Sequence, residues 1–138
     1  MFLGRVPRSL LAVALWFALL CWGATILWLS SLTPEQLPSA TLLGWDKLNH
    51  FAAFAAGGWL AASALQASRP GGSLRWKIIT AIMIVALFGA VDETRQLFTP
   101  GRSGADLYDW IADFLGAGAG AILSMLTYDR IDRRLARS

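Results

Sequence analysis

The sequence predicts an all-α protein that crosses a membrane four times. Three observations carry this: four apolar stretches separated by short polar connections, basic residues gathered in alternate connections, and too little polar surface for a soluble chain. Of the 138 residues 56% are hydrophobic and 15% charged, with a mean hydropathy of +0.52, where a soluble domain carries about 25% charge. The chain reads as one polytopic membrane domain over residues 1–138, with both termini cytoplasmic.

Residues 10–29 contain 20 consecutive uncharged positions, and at about 1.5 Å per residue they cover a hydrocarbon core of about 30 Å. The run is longer than a secretory h-region and no A-x-A-like site follows, so it reads as an uncleaved spanning helix. Residues 48–67 form a second span, interrupted by Asn49, His50, Ser63 and Gln66 and closed by the breaker sequence Ser68-Arg69-Pro70-Gly71-Gly72-Ser73. The third apolar run, 78–91, has 14 residues. It spans only if the helix continues through Asp92, Glu93, Thr94, Arg95 and Gln96 to about residue 98. The fourth span, 106–126, carries Asp109 and Asp113 in its first turns, above the small-residue stretch Gly116-Ala117-Gly118-Ala119-Gly120. Ser103 followed by Asp106 resembles a capping box at its start. The single cysteine, Cys21, excludes a disulfide within the chain.

Charge sets the expected orientation. Arg5 and Arg8, then Arg69, Arg75 and Lys77, then Arg130, Arg133, Arg134 and Arg137 make nine of the 12 basic residues, which places those segments in the cytoplasm. The other two connections and their flanks hold Lys47, Arg95 and Arg102 against Glu35, Asp46, Asp92, Glu93, Asp106, Asp109 and Asp113, a net charge of −4. A pI of 9.6 is explained by this split and not by nucleic-acid binding, for which no motif is present. Trp28, Trp45 and Trp110 fall near the outer interface and Trp76 near the inner one, as anchors.

Helical spacing gathers the acidic ends into one candidate site. Asp46 and His50 share a helix face, as do Asp92 and Gln96, while Glu93 lies about 100° from Asp92. Asp106, Asp109 and Asp113 form a stripe that Gly116 and Gly120 continue inward, and the glycines allow a neighbouring helix to approach closely. Acids at such depth cost about 2.5–3.5 kcal/mol at a helix centre and face a bundle interior or a watery cavity. Their excess calls for a cation or a proton. An internal ion-pair network using Lys47, Arg95 and Arg102 is the structural alternative.

The blocks Asp46-Lys47-Leu48-Asn49-His50-Phe51, Asp92-Glu93-Thr94-Arg95-Gln96 with Phe98, and Gly101-Arg102-Ser103 with Asp106, Asp109 and Gly116 closely resemble the VanZ-like membrane proteins. The resemblance covers residues 46–120 and rests on the order and placement of the three blocks. It implies a small helical membrane protein of a family named for a member that contributes to teicoplanin resistance, and many relatives have no known role. The chain departs at Asp113, where the family pattern often has Asn. The added ionisable group means that the ligand or proton state is not carried over.

Several chemistries are compatible with these residues. No G-x-S-x-G elbow or Cys/His pair is present, which disfavours a nucleophilic hydrolase. General acid/base work falls to His50 with Asp92 or Glu93 as catalytic groups. Asp46, Lys47, Gln96, Arg102, Asp106, Asp109 and Asp113 would then bind, with Lys47 and Arg102 suited to phosphate. One imidazole with carboxylate oxygens also suits a divalent cation as cofactor, without the spacing of a structural zinc site. The expected environment is the bacterial inner membrane. The expected ligand is an envelope lipid or lipid-linked glycan, with an effect on glycopeptide susceptibility. The alternative is a non-catalytic accessory protein that recruits a membrane partner. No relay of polar groups through the inner half supports proton or ion passage.

Overall fold

The computed structural model describes residues 7–37 and 46–135. These fold into four α-helices, α1 (Arg8–Ser30), α2 (Asp46–Ser68), α3 (Leu74–Gln96) and α4 (Leu107–Leu135), with no strand among the described residues. Pro7 stands before the first turn of α1, where its missing N–H costs no helical bond. α2 stops at Ser68, ahead of the Pro70-Gly71-Gly72 turn in which Gly72 takes a positive φ of 110°. α3 carries helix through Asp92 and Glu93 as far as Gln96, with Leu97 and Phe98 already in the turn that follows.

The start of α4 differs from the expected capping box. Ser103 lies in the connection, and Asp106 itself caps the helix: its Oδ1 accepts the Tyr108 N–H at 2.8 Å and its carbonyl accepts that of Trp110 at 3.1 Å. Asp106 reaches the second N–H of the helix without needing Ser103, which stays exposed. In the same connection Gly101 (φ 77°) and Ala105 (φ 59°) both adopt left-handed backbone. Gly104 packs against the end of α3, where a Cβ would lie 2.7 Å from the Gln96 carbonyl carbon.

α2 packs against each of the other three helices, and α4 is its most extensive partner. The α2–α4 interface is nearly backbone on backbone. A Cβ on Gly116 would overlap the Phe51 carbonyl oxygen, one on Gly120 that of Ala55, and one on Gly58 that of Ala117. Small residues permit this approach, which is how helices associate where apolar burial drives little. Ala61, Ala62, Ala117 and Ala121 fill the seam, with Phe54, Val85, Leu19 and Ile26 completing the core. Polar pairs cross between helices deeper in the bundle: Ser63 with Ser124 at 2.8 Å, Gln66 Nε2 to Ser124 at 3.1 Å, and Trp59 Nε1 to Thr127 at 2.7 Å.

α1, α3 and residues Leu107–Tyr128 of α4 are long and apolar enough to cross a membrane. α2 matches α1 and α3 at 23 residues but is not among the helices apolar enough to cross by composition alone, its sequence being rich in Ala and Gly and interrupted by Asn49, His50 and Gln66. The physical reason is its central position: the unbroken run Ala61 to Ala67 is buried against neighbours and needs small size more than greasiness. The large apolar side chains instead lie outward on the other helices, among them Leu20, Phe17, Leu87, Val91, Leu123 and Leu126. Cys21 is also on the exposed face of α1. Trp28 is exposed, whereas Trp110 turns inward and donates to the Ala86 carbonyl at 3.0 Å, binding α4 to α3. Trp45 lies outside the described residues. Lys77 folds back so that its Nζ donates to the Pro70 carbonyl at 3.4 Å.

Candidate functional site

The end of α1, the start of α2, the end of α3 and the start of α4 meet at one end of the bundle. Because Gly116 and Gly120 draw α4 onto α2, the acidic stripe of α4 is laid along Lys47 and His50 one turn at a time. Lys47 Nζ pairs with Asp106 Oδ2 at 3.0 Å and with Asp109 Oδ1. One turn deeper, His50 Nδ1 lies 2.9 Å from Asp113 Oδ1 and its Nε2 lies 3.9 Å from Asp109 Oδ2. Exposure falls along this ladder: the side chains of Lys47 and Asp106 are 26% and 29% exposed, that of His50 11%, and that of Asp113 0%. The hydrogen bond to Asp109, reinforced by Asp106, holds the Lys47 ammonium above the ordinary lysine range against the opposing effect of burial. Phe54 stacks beneath the imidazole at 6.4 Å between ring centres, and Trp22 meets Phe54 edge-on.

Glu93 joins this cluster from α3. Its Oε2 accepts the Asp106 N–H at 2.9 Å, and its backbone carbonyl accepts the Ala105 N–H at 3.2 Å, so one residue fastens the α3–α4 connection at two points. His50, Glu93 and Asp113 each offer a ligand atom within 4.8 Å of the others. Two carboxylate oxygens of this trio, Glu93 Oε1 and Asp113 Oδ2, are buried without a hydrogen-bond partner. Gly89 leaves room beside the second: a Cβ there would come 2.9 Å from Asp113 Oδ2.

Asp92 takes the opposite direction. The 100° step predicted between the two acids sends it toward α1, where Ser30 Oγ donates to its Oδ1, while Gln96 Nε2 donates to its Oδ2 at 3.0 Å. Arg102 completes this second network by donating to Gln96 Oε1 at 2.8 Å. Thr99 Oγ1 adds a bond to the Ser30 carbonyl at 2.8 Å. Asp92, Gln96 and Arg102 thus tie α3 and its connection to α1, and Glu93 belongs with His50. Arg95 is exposed on the outer face of α3. The backbone of Asp46 begins α2, but its side chain lies outside the described residues; the described carboxylates beside His50 are Asp109 and Asp113 of α4 and Glu93 of α3.

Two contributors were not singled out from the sequence. Ser30 reads there only as a polar residue at a span end, and nothing local links it to a residue 62 positions away. Gly89 stands alone in an apolar run, a pattern that signals close approach without naming the partner.

The chemistry available to the ladder is that of an imidazole clamped between carboxylates, an ammonium at the mouth and two unsatisfied oxygens inside. It can bind an anion at Lys47, move a proton between His50 and a carboxylate, or hold a cation among His50, Glu93 and Asp113. No curated protein and no solved structure matches the chain. The family model described as VanZ/LLP1 matches residues 11–128, spanning all four helices and both networks. The chain belongs to the VanZ/LLP1 family.

Proposed function

We propose that this is a bacterial inner-membrane protein whose four helices all span the bilayer, with both termini cytoplasmic. Its polar cluster then faces the outside and recognises the headgroup of an envelope lipid or lipid-linked glycan. The observation that carries the reading is the graded ladder from half-exposed Lys47 and Asp106 through His50 to fully buried Asp113. Lys47 ties α2 to α4 through Asp106 and Asp109, but fixing register does not call for the ammonium to reach solvent above His50. A headgroup site uses both: Lys47 meets phosphate and His50 exchanges a proton with what is held there. The positive-inside distribution supports the orientation. The burial of α2 along its inner half supports its crossing the membrane despite lower apolarity, since its neighbours shield it from lipid.

Asp92, Gln96 and Arg102 are assigned a structural role, because the described side-chain hydrogen bonds of the three run to Ser30 or to each other. This is the part of the cluster for which the accessory-protein reading holds. Glycopeptide susceptibility is the cellular property in which an altered envelope headgroup is expected to show.

The test compares envelope lipids and lipid-linked glycans by mass spectrometry in cells lacking the protein and in cells with equal amounts of wild type or His50→Ala. A species that changes with wild type alone identifies the ligand class and supports turnover. Profiles identical in all three, with no susceptibility difference dependent on His50, overturn the headgroup reading.

A further inference from the structure

We propose that His50, Glu93 and Asp113 form a binding site for a divalent transition-metal cation, with Asp109 orienting the imidazole. This deepens the headgroup reading and rests on the same cluster being the working site. A buried carboxylate oxygen left without a partner is costly, and here two such oxygens, Glu93 Oε1 and Asp113 Oδ2, occur on residues whose ligand atoms converge with that of His50 within 4.8 Å. Glu93 is 4% and Asp113 0% exposed, so bulk water is not the missing partner. Protonation would lower the charge, but each acquired O–H would itself require an acceptor.

The donor set selects the class of ion. One imidazole nitrogen and two carboxylates suit Zn²⁺, Mn²⁺ or Fe²⁺ better than Mg²⁺ or Ca²⁺, which favour all-oxygen surroundings. Three protein ligands leave a position open, as in catalytic zinc sites.

The second layer of contacts fits a metal as well. An ion at Nδ1 would take the place of the present 2.9 Å contact to Asp113 and leave the ring proton on Nε2, which lies 3.9 Å from Asp109 Oδ2, at ion-pair distance and a small ring shift from a hydrogen bond. Asp109 is in turn held by Lys47. A carboxylate behind a ligating histidine sets the tautomer and raises ligand basicity. Four carboxylates, Glu93, Asp106, Asp109 and Asp113, face one ammonium and one imidazole, a balance that a divalent ion redresses.

The full chain, purified in detergent and stripped with chelator, is titrated with Zn²⁺ and, as an optical probe, with Co²⁺; metal content is counted by mass spectrometry. One equivalent is expected, with Co²⁺ absorption typical of mixed nitrogen and oxygen ligands. His50→Ala, Glu93→Gln and Asp113→Asn should each weaken binding at least about 100-fold, and Asp109→Asn about 10- to 100-fold through the imidazole. Glu35→Gln, an exposed acid away from the cluster, should bind as wild type. Helical circular dichroism and gel filtration report folding; if a ligand variant does not fold, the wild-type stoichiometry, the Co²⁺ spectrum and Asp109→Asn still decide. Folded wild type that binds neither ion more tightly than millimolar overturns the proposal, as does Glu93→Gln or Asp113→Asn binding like wild type. If wild type binds no metal while the envelope change still depends on His50, the metal inference fails and the headgroup reading stands. Metal bound by wild type with no envelope change in any strain refutes the headgroup reading alone.

Discussion

Replacing Gly116 by alanine tests whether helix contact assembles the site. The new Cβ would lie 3.0 Å from the Phe51 carbonyl carbon and 3.1 Å from the Ala55 nitrogen, and closer still to the Phe51 oxygen. Non-bonded carbon contacts settle at about 3.5–4.0 Å, so α2 and α4 must part locally by about 1 Å. Backbone cannot swing aside as a flexible side chain would. Asp113 lies one turn before Gly116 and His50 immediately before Phe51, so the parting falls on their 2.9 Å contact. Stretched by about 1 Å, that contact is no longer a hydrogen bond. Overpacking of this kind costs about 1–3 kcal/mol. Gly118→Ala is the matched control: its Cβ meets only Ile82 Cδ1 at 3.8 Å, ordinary contact. It should be neutral or stabilising by about 0.5–1 kcal/mol through helix propensity. His50 is the only histidine, so its ring nitrogens give a single set of ¹⁵N signals. Gly116→Ala should move the Nδ1 signal off its hydrogen-bonded position and lower the melting temperature, while Gly118→Ala does neither. Equal effects from the two variants, or an unmoved imidazole signal in a destabilised Gly116→Ala, would refute the argument that close packing sets the site.

Other outcomes follow from single contacts. Ser30→Ala removes the hydroxyl that donates to buried Asp92 and should cost about 1–3 kcal/mol, read as a lower melting temperature with the His50 signal unmoved; a shifted signal would mean the two networks are not separate. Lys47→Met removes the closer of the two cationic groups beside Asp109 and should destabilise, and adding Asp109→Asn should recover much of the loss; additive effects in this cycle would deny the pair its coupling. Folding raises the Lys47 pKa, so its stabilising contribution is complete below about pH 10 and is lost as pH climbs through the raised value. Lys47→Met should therefore flatten the alkaline fall in melting temperature, and an unchanged alkaline slope would contradict the assignment. Ala105→Gly should stabilise by about 0.5–1 kcal/mol, because glycine takes φ 59° without the Cβ clash; a loss on calorimetry would show that Ala105 is not strained.

Helix number, the ends of the first three helices to within about four residues and the acidic end of the bundle are read from apolar run length, breakers and charge, because these are local consequences of hydrogen bonding and desolvation; α4 instead continues to Leu135, nine residues past the expected 126, since a helix does not stop where its apolar run does. The divergence of Asp92 and Glu93 follows from the 100° step of a helix, yet the step alone does not say which acid meets which helix. That choice depends on Ser30, and a serine at the end of one span carries no mark of an aspartate two spans away. The GxxxG spacing announces a close approach on α4, and only the seating of Phe51 and Ala55 against it identifies α2 as the partner. The capping pattern at Ser103 is overtaken by Asp106, whose shorter path to the Tyr108 N–H wins. The small and polar residues that keep α2 below the apolarity of a span belong to a helix enclosed by its neighbours, a tertiary fact that a window of hydropathy averages away.

Glu93 ties an inner event to an outer surface. Its carboxylate and its carbonyl together hold Asp106 and Ala105, and Asp106 in turn holds Lys47. Any gain or loss of charge at the Glu93 carboxylate therefore bears on the residue that caps α4, and through it on the Lys47 ammonium. The connection between α3 and α4 is thus anchored on a side chain sealed inside the bundle, so the order of an exposed turn is set by a buried charge.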